Sequence, residues 1–211
     1  MQNIADIRRE YKLRTLDENY VADDPVRQFR MWWDEAIESR IDEVNAMTLS
    51  TSMDGIPSAR IVLLKGFSEE GFVFYTNYKS NKAKELAANP NAALVFFWKE
   101  LERQVRITGT VEKVTDEESD TYFSSRPTGS KAGAWASPQS SKIKDRQELE
   151  EKLREVEMKF TSDNIPRPVF WGGYIVKPVN IEFWQGRPSR LHDRILYSCI
   201  DNKWMVSRLA P

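Results

Sequence analysis

Between Ala46 and Asn77 the chain breaks into short β-type runs separated by turn signals, and this texture restricts its fold more than any other feature. AMTLST gives way to Asp54-Gly55, SARIVLLKGF to Glu69-Glu70-Gly71, and FVFYTN follows, a succession that predicts an antiparallel meander. A helix over 80–89, with Ala83, Leu86 and Ala87 inward, interrupts it before NAALVFFW and RQVRITGTVEKV resume strand character. Beyond a helix over 116–125, stopped by Pro127, and a charged helix over 146–160 with Leu149, Leu153, Val156 and Phe160 as its apolar stripe, four more strands are expected. They are WGGYIVKP, VNIEFWQG, RILYSCI and KWMVSRLA. Many short strands with few helices predict a mainly β fold with flanking helices (α+β), closed or nearly closed into a barrel so that few edges are exposed. A doubly wound parallel sheet fits poorly, since strand and helix do not alternate and no GxGxxG follows the first strand.

The start of the chain differs. Residues 1–23 are polar and read as an arm, although Ile4, Ile7 and Tyr11 recur at helical spacing. Asp23 or Asp24 can cap a helix that has Pro25 at its first position and Val26, Phe29, Trp33, Ala36, Ile37 and Arg40 on a 3.6-residue period, with both tryptophans toward a core. Residues 128–145, rich in small and polar side chains, are expected to form a loop or a broken helix. Without internal repeats or low-complexity linkers, residues 24–211 make one domain, long enough for a single core.

Charge and cysteine content exclude several classes. Thirty-one basic against 32 acidic residues leave a net charge of -1, so no overall field draws the chain to nucleic acid or an anionic membrane. A lone cysteine, Cys199, and a lone histidine, His192, leave no intrachain disulfide and a poor prospect of a metal cage. The charged N-terminus lacks an apolar h-region, and the run Ala92 to Trp98 is far short of a bilayer span, so the expected setting is cytoplasmic.

Anion-binding chemistry recurs. Extended from Ser189, the chain would place Arg190, His192 and Arg194 on one face, with Phe183 and Trp184 upstream as an aromatic wall for a planar anion; solvated surface is the alternative. RIVLLK carries Arg60 and Lys65 at its ends, either meeting something negative or capping the strand in solvent, and their odd spacing requires a bulge or twist before one ligand can touch both. Tyr122 and Arg126 share a helical face with Ser130 just past the turn, a set suited to phosphate. A Ser-His-Asp triad would need an acid distant from His192, and there is no Walker loop or HExxH.

Several segments taken together resemble the pyridoxine (pyridoxamine) 5'-phosphate oxidase family: RREY at 8–11, RIVLLK at 60–65, FYTN at 74–77, ERQVRI at 102–107, YFSSRP at 122–127, GAWAS, QSS, FWGG, EFWQG with RLHDR, and the terminal RLAP. They follow the family's order over nearly the whole chain. The resemblance implies an FMN-binding split β-barrel working as a homodimer, with two sites between subunits. It implies FMN contacts from Arg60, Ile61, Val62, Leu63, Leu64, Lys65, Tyr75, Thr76, Lys82, Gln104, Gln139, Ser140, Trp184 and Arg194. Substrate would meet Lys65, Tyr122, Arg126 and Ser130 through its phosphate, and Arg190 and His192 over its ring, with Arg8 and Tyr11 of the arm closing the site. The implied reaction oxidises a phosphorylated B6 vitamer with dioxygen, giving pyridoxal 5'-phosphate and hydrogen peroxide, with Arg190 and His192 catalytic. Where the family commonly has Arg-Lys this chain has Asn81-Lys82, which removes one expected phosphate cation unless Lys79 compensates. A non-catalytic pyridoxal 5'-phosphate carrier and a related split-barrel flavin reductase are the competing readings.

Overall fold

Asp54 and Gly55 both adopt left-handed backbone (φ 53° and 76°), the two-residue turn that matches strand twist, and they join β1 (Ala46–Met53) to β2 (Ile56–Leu63). A computed structural model describes residues 3–6, 10–160 and 164–211. After β2 come β3 (Gly66–Ser68), β4 (Gly71–Asn77), β5 (Asn91–Trp98), β6 (Arg103–Lys113), β7 (Trp171–Gln185), β8 (Asp193–Ile200) and β9 (Lys203–Arg208). Among the described residues these nine strands form one antiparallel sheet, ordered β2-β1-β5-β6-β7-β4-β3, with β8 and β9 added beyond β7.

The sheet closes because its two end strands are consecutive in sequence. Only Leu64 and Lys65 separate β2 from β3; the Leu64 N–H donates to the Asn45 carbonyl (2.8 Å) and the Lys65 N–H to the Val73 carbonyl (2.8 Å). This break is the irregularity that the spacing of Arg60 and Lys65 required, and it divides the single strand expected over 58–67. Along β1, β5 and β6 alternate residues are buried, and Leu49, Leu94, Phe96, Val105 and Ile107 meet Phe72, Phe74, Val176 and Phe183 inside the barrel.

β7 is one strand where two were expected. Its first half, through Val176, pairs with β4, and its second half, from Asn180, pairs with β8, while β6 runs along its other side from Tyr174 to Gln185. Pro178 has no N–H for a ladder, and it is tolerated because the register shifts there: Thr108 faces Asn180 and Gly109 faces Pro178. The result is a split β-barrel.

Helices plug and flank it. α1 (Pro25–Glu38), capped by the Asp24 side chain on the Arg27 N–H (2.8 Å), buries Val26, Phe29, Trp32 and Ala36. Trp33 is only partly buried and Ile37 is half exposed, so the buried stripe runs through Trp32, and Arg40 lies beyond the helix. α2 (Asn81–Ala88) buries Ala83 and Leu86 and leaves Ala87 exposed. α3 (Asp116–Ser124) matches expectation, and of the loop or broken helix expected over 128–145 the first half is helix α4 (Thr128–Ala136), whose Trp135 packs on Phe160 and Phe170. α5 (Arg146–Lys159) keeps its apolar stripe half-buried. In the arm, Ile4 belongs to a short 3-10 turn and is exposed; Ile7 and Arg8 lie outside the described residues. Among the described residues no helix is long and apolar enough to cross a membrane.

Candidate active site

Where β2 meets β4, a cavity of about 520 Å³ is lined by Arg60, Ile61, Val62, Leu63, Lys65, Tyr75, Thr76, Lys82, Tyr122, Arg126, Pro127, Ser130, Gln139 and Trp171. Twelve of those fourteen are expected site residues. Pro127 and Trp171 are the additions. Leu64 departs from expectation: its side chain is in the core, its N–H donates to Asn45 and its carbonyl accepts from the Asn45 side chain (3.2 Å). Ser140, with left-handed backbone (φ 69°), stands beside the cavity and accepts from the Asn81 N–H (3.2 Å).

The cavity gathers cations. Arg60 reaches from β2 to Glu85 on α2 (2.9 Å) and to Thr51 (2.6 Å) and Ser58 (2.5 Å). The Lys82 ammonium lies 3.2 Å from Thr76 Oγ1 and Gln139 Oε1, and burial together with nearby Arg60 lowers its pKa. Lys79, the residue expected to stand in for a cation at Asn81, stacks over Phe170 (4.8 Å) and is not among the residues lining the cavity.

Arg126 is the sharper case. Its guanidinium lies 4.6 Å over the Trp171 ring, burial lowers its pKa, and its Nη1 is buried without a hydrogen-bond partner. A buried cationic donor without an acceptor is costly unless an anion completes it. Beside it, the nearly parallel rings of Tyr75, Tyr122 and Trp171 form one cluster, with Tyr75 3.9 Å from Tyr122 and 5.5 Å from Trp171, and burial and Glu118 push the Tyr75 phenol up to about 12. The chemistry of this donor set fits phosphorylated ligands.

The remaining expected residues form a second group. Gln104, Trp184 and Arg194 face one another across β6, β7 and β8 in a single row. Arg194 is held by Glu182 (2.8 Å), which raises its pKa, and by the Ala210 carbonyl (2.8 Å). The His192 ring packs 4.5 Å from Trp184 and 6.0 Å from Tyr11, and its Nδ1 accepts from the Arg187 N–H (3.1 Å). Burial and Arg190 hold its pKa below the ordinary imidazole value, and the acceptor role of Nδ1 leaves Nε2 as the ring's donor.

The expected row of Arg190, His192 and Arg194 does not form. Pro188–Arg190 is a 3-10 turn with Ser189 and Arg190 left-handed (φ 56° and 62°), and the strand begins only at Asp193. Arg190 is therefore an exposed turn residue, and Phe183 faces the core rather than the aromatic wall. Sequence reasoning also missed Glu85, Trp171 and Arg187. Glu85 carries a local signal, standing three residues after Lys82 on α2; the other two act through contacts that only folding creates.

The two groups are far apart on one chain. Tyr75 pairs with Gly173 and Gln104 with Trp184, and these β7 partners are separated by eleven residues (184 − 173), up to roughly 35 Å of strand, longer than a mononucleotide.

Residues 33–160 match the family model described as pyridoxamine 5'-phosphate oxidase, and residues 171–211 match the pyridoxine 5'-phosphate oxidase C-terminal dimerisation region. The chain is 55% identical over 215 residues to pyridoxine/pyridoxamine 5'-phosphate oxidase of Salinibacter ruber and 56% identical over 213 residues to that of Cupriavidus pinatubonensis, covering 100% of both chains in each case. Among solved structures it is similar to PhzG from Burkholderia lata 383 in complex with tetrahydrophenazine-1-carboxylic acid (TM-score 0.88, 28% identity, 94% of this chain and 99% of that one). An FMN-binding protein from Nostoc punctiforme shares the fold at 18% identity (TM-score 0.71, 90% of this chain and 100% of that one). With both family segments present and such identity over its full length, this chain belongs to the pyridoxine/pyridoxamine 5'-phosphate oxidase family and is an oxidoreductase.

Proposed function

We propose that the protein binds FMN and oxidises pyridoxine 5'-phosphate or pyridoxamine 5'-phosphate with dioxygen to pyridoxal 5'-phosphate and hydrogen peroxide. With the amine, water supplies the aldehyde oxygen and ammonia leaves. The observation that carries this reading is the cationic cavity, with the buried, unpartnered Nη1 of Arg126 on its wall. Bound FMN supplies the two-electron acceptor that returns its electrons to dioxygen.

The chain's own residues bind and orient. Arg60, Lys65 and Lys82, with Thr76, Gln139 and Ser140, hold the cofactor, and Tyr122, Arg126 and Ser130 hold the substrate phosphate, with Lys65 within reach of it. Phosphate contacts remote from the reacting carbon supply binding energy for positioning. Arg190 holds the substrate ring and stabilises developing negative charge, and His192, its Nδ1 engaged by Arg187, offers Nε2–H as a donor.

The distance between the groups is overcome by a second copy. In a homodimer, which the C-terminal dimerisation region supports, the Gln104, Trp184, Arg194 row of one subunit completes the cavity of the other. The arm to residue 23, with Arg8 and Tyr11, covers that composite site. A single cysteine suits a reducing setting, the cytoplasm.

The test is a visible absorption spectrum of the purified protein, followed by pyridoxine 5'-phosphate in air. A flavin spectrum with equal amounts of peroxide and pyridoxal 5'-phosphate is expected. Flavin without turnover would favour a reductase, and failure to take up added FMN would favour a carrier.

A further inference from the structure

Glu102 stands outside the residues assigned so far, yet it joins two parts of the second group. It is 2% exposed and left-handed (φ 54°, ψ 39°), a conformation that glycine or asparagine adopts more readily. Its carboxylate Oε2 accepts from the backbone N–H groups of Lys12 (2.8 Å) and Leu13 (3.1 Å), some ninety residues away in sequence. Its backbone carbonyl accepts from the Gly186 N–H (2.8 Å) and from the Gln185 side-chain amide (3.2 Å) at the end of β7. The arm here is not part of a strand, so these two N–H groups have no ladder partner and take the Glu102 carboxylate instead.

Tyr11 lies between these two attachments. A methyl group at Gly186 would come within 2.7 Å of the Tyr11 side chain, and the Tyr11 ring meets Trp184 edge-on at 5.8 Å and lies 6.0 Å from His192. The other anchors act downstream: Asp193 receives the Leu16 N–H (3.0 Å) and Arg208 donates to the Leu16 carbonyl (3.0 Å). These contacts, and the Arg14 ion pair with Glu35, hold the chain three to five residues beyond Tyr11, whereas Glu102 holds the two residues that directly follow it.

We propose that Glu102 is a positioning residue for the oxidase: by gripping the Lys12 and Leu13 amides it holds Tyr11 against Trp184 and His192, and so sets the wall that the substrate meets. This rests on the proposed function, in which Tyr11 faces substrate.

The test uses the FMN-loaded protein and three single variants, Glu102→Ala, Glu102→Gln and Tyr11→Ala, with the double variant Tyr11→Ala/Glu102→Ala. Glu102→Ala is expected to speed tryptic cleavage after Lys12 and Arg14, to raise the KM for pyridoxine 5'-phosphate about tenfold or more, and to leave kcat and FMN affinity near wild type. Glu102→Gln, which keeps a carbonyl acceptor, is expected to fall between. Because Glu102 acts through Tyr11, adding Glu102→Ala to Tyr11→Ala should raise KM no further. A purely structural role would lower FMN affinity and kcat together and give additive effects, overturning the proposal. A wild-type KM in both Glu102 variants beside a raised KM in Tyr11→Ala would overturn it alone; a wild-type KM in Tyr11→Ala would overturn it together with the arm's place in the substrate site.

Discussion

Arg126 has a buried Nη1 with no partner, above the face of Trp171. A phosphate oxygen would satisfy it, and a charge-assisted bond of this kind contributes about 1.5–3 kcal/mol. Steady-state kinetics of Arg126→Ala should therefore show KM raised by roughly ten- to a hundredfold with FMN still bound; an unaltered KM would remove Arg126 from the phosphate site. Arg190→Ala should instead retain FMN and substrate phosphate binding and lose turnover by at least about a hundredfold, as expected of a group acting on the reacting centre. Unchanged turnover would exclude that role. Tyr122, Arg126 and Ser130 all line the cavity, but α3 ends at Ser124, so the helical face expected to carry both Tyr122 and Arg126 does not extend to Arg126, and the turn between α3 and α4 brings the three together. Trp171, which supports this cluster, arrives from a strand 45 positions later (171 − 126), and no spacing rule reaches that far.

At the scale of elements, α1 shows what packing adds to a periodic pattern. Asp24, Pro25 and the apolar period specified the helix start, but whether Trp32 or Ile37 completes the buried stripe depends on the barrel wall it meets. Phe29 is fully buried, with Trp33, Phe67, Phe72, Phe96 and Trp98 around it at ring distances of 4.9–6.0 Å. Phe29→Ala should cost about 3–5 kcal/mol, seen as a lower denaturation midpoint at equal protein concentration, and Phe29→Leu should cost less. A change within about 0.5 kcal/mol for Phe29→Ala would mean that α1 is not part of the cooperative unit. In the same way, VNIEFWQG and WGGYIVKP have strand composition, but their fusion into β7 depends on the register shift opposite Gly109 that lets Pro178 stay.

For the whole molecule, the decisive quantity is the separation of the two groups along β7. If subunits share each site, mixing Arg126→Ala with Arg190→Ala protein and allowing exchange should regenerate sites with both arginines intact. Random pairing gives mixed dimers in about half the population, each with one intact site, so recovery should approach about a quarter of wild-type activity. No recovery after verified exchange would place both arginines of a site on one subunit. The sequence by itself determined the mainly β architecture and the cap of α1, because alternation, capping and turn chemistry act within a few residues, while its resemblance to a known family implied most of the cavity residues. Only the tertiary structure decided that Leu64 turns inward, that Arg190 leaves the strand row, that Lys79 packs over Phe170 and that Glu102 grips the arm. Each of these depends on which distant surface a side chain meets, and chain closure sets that.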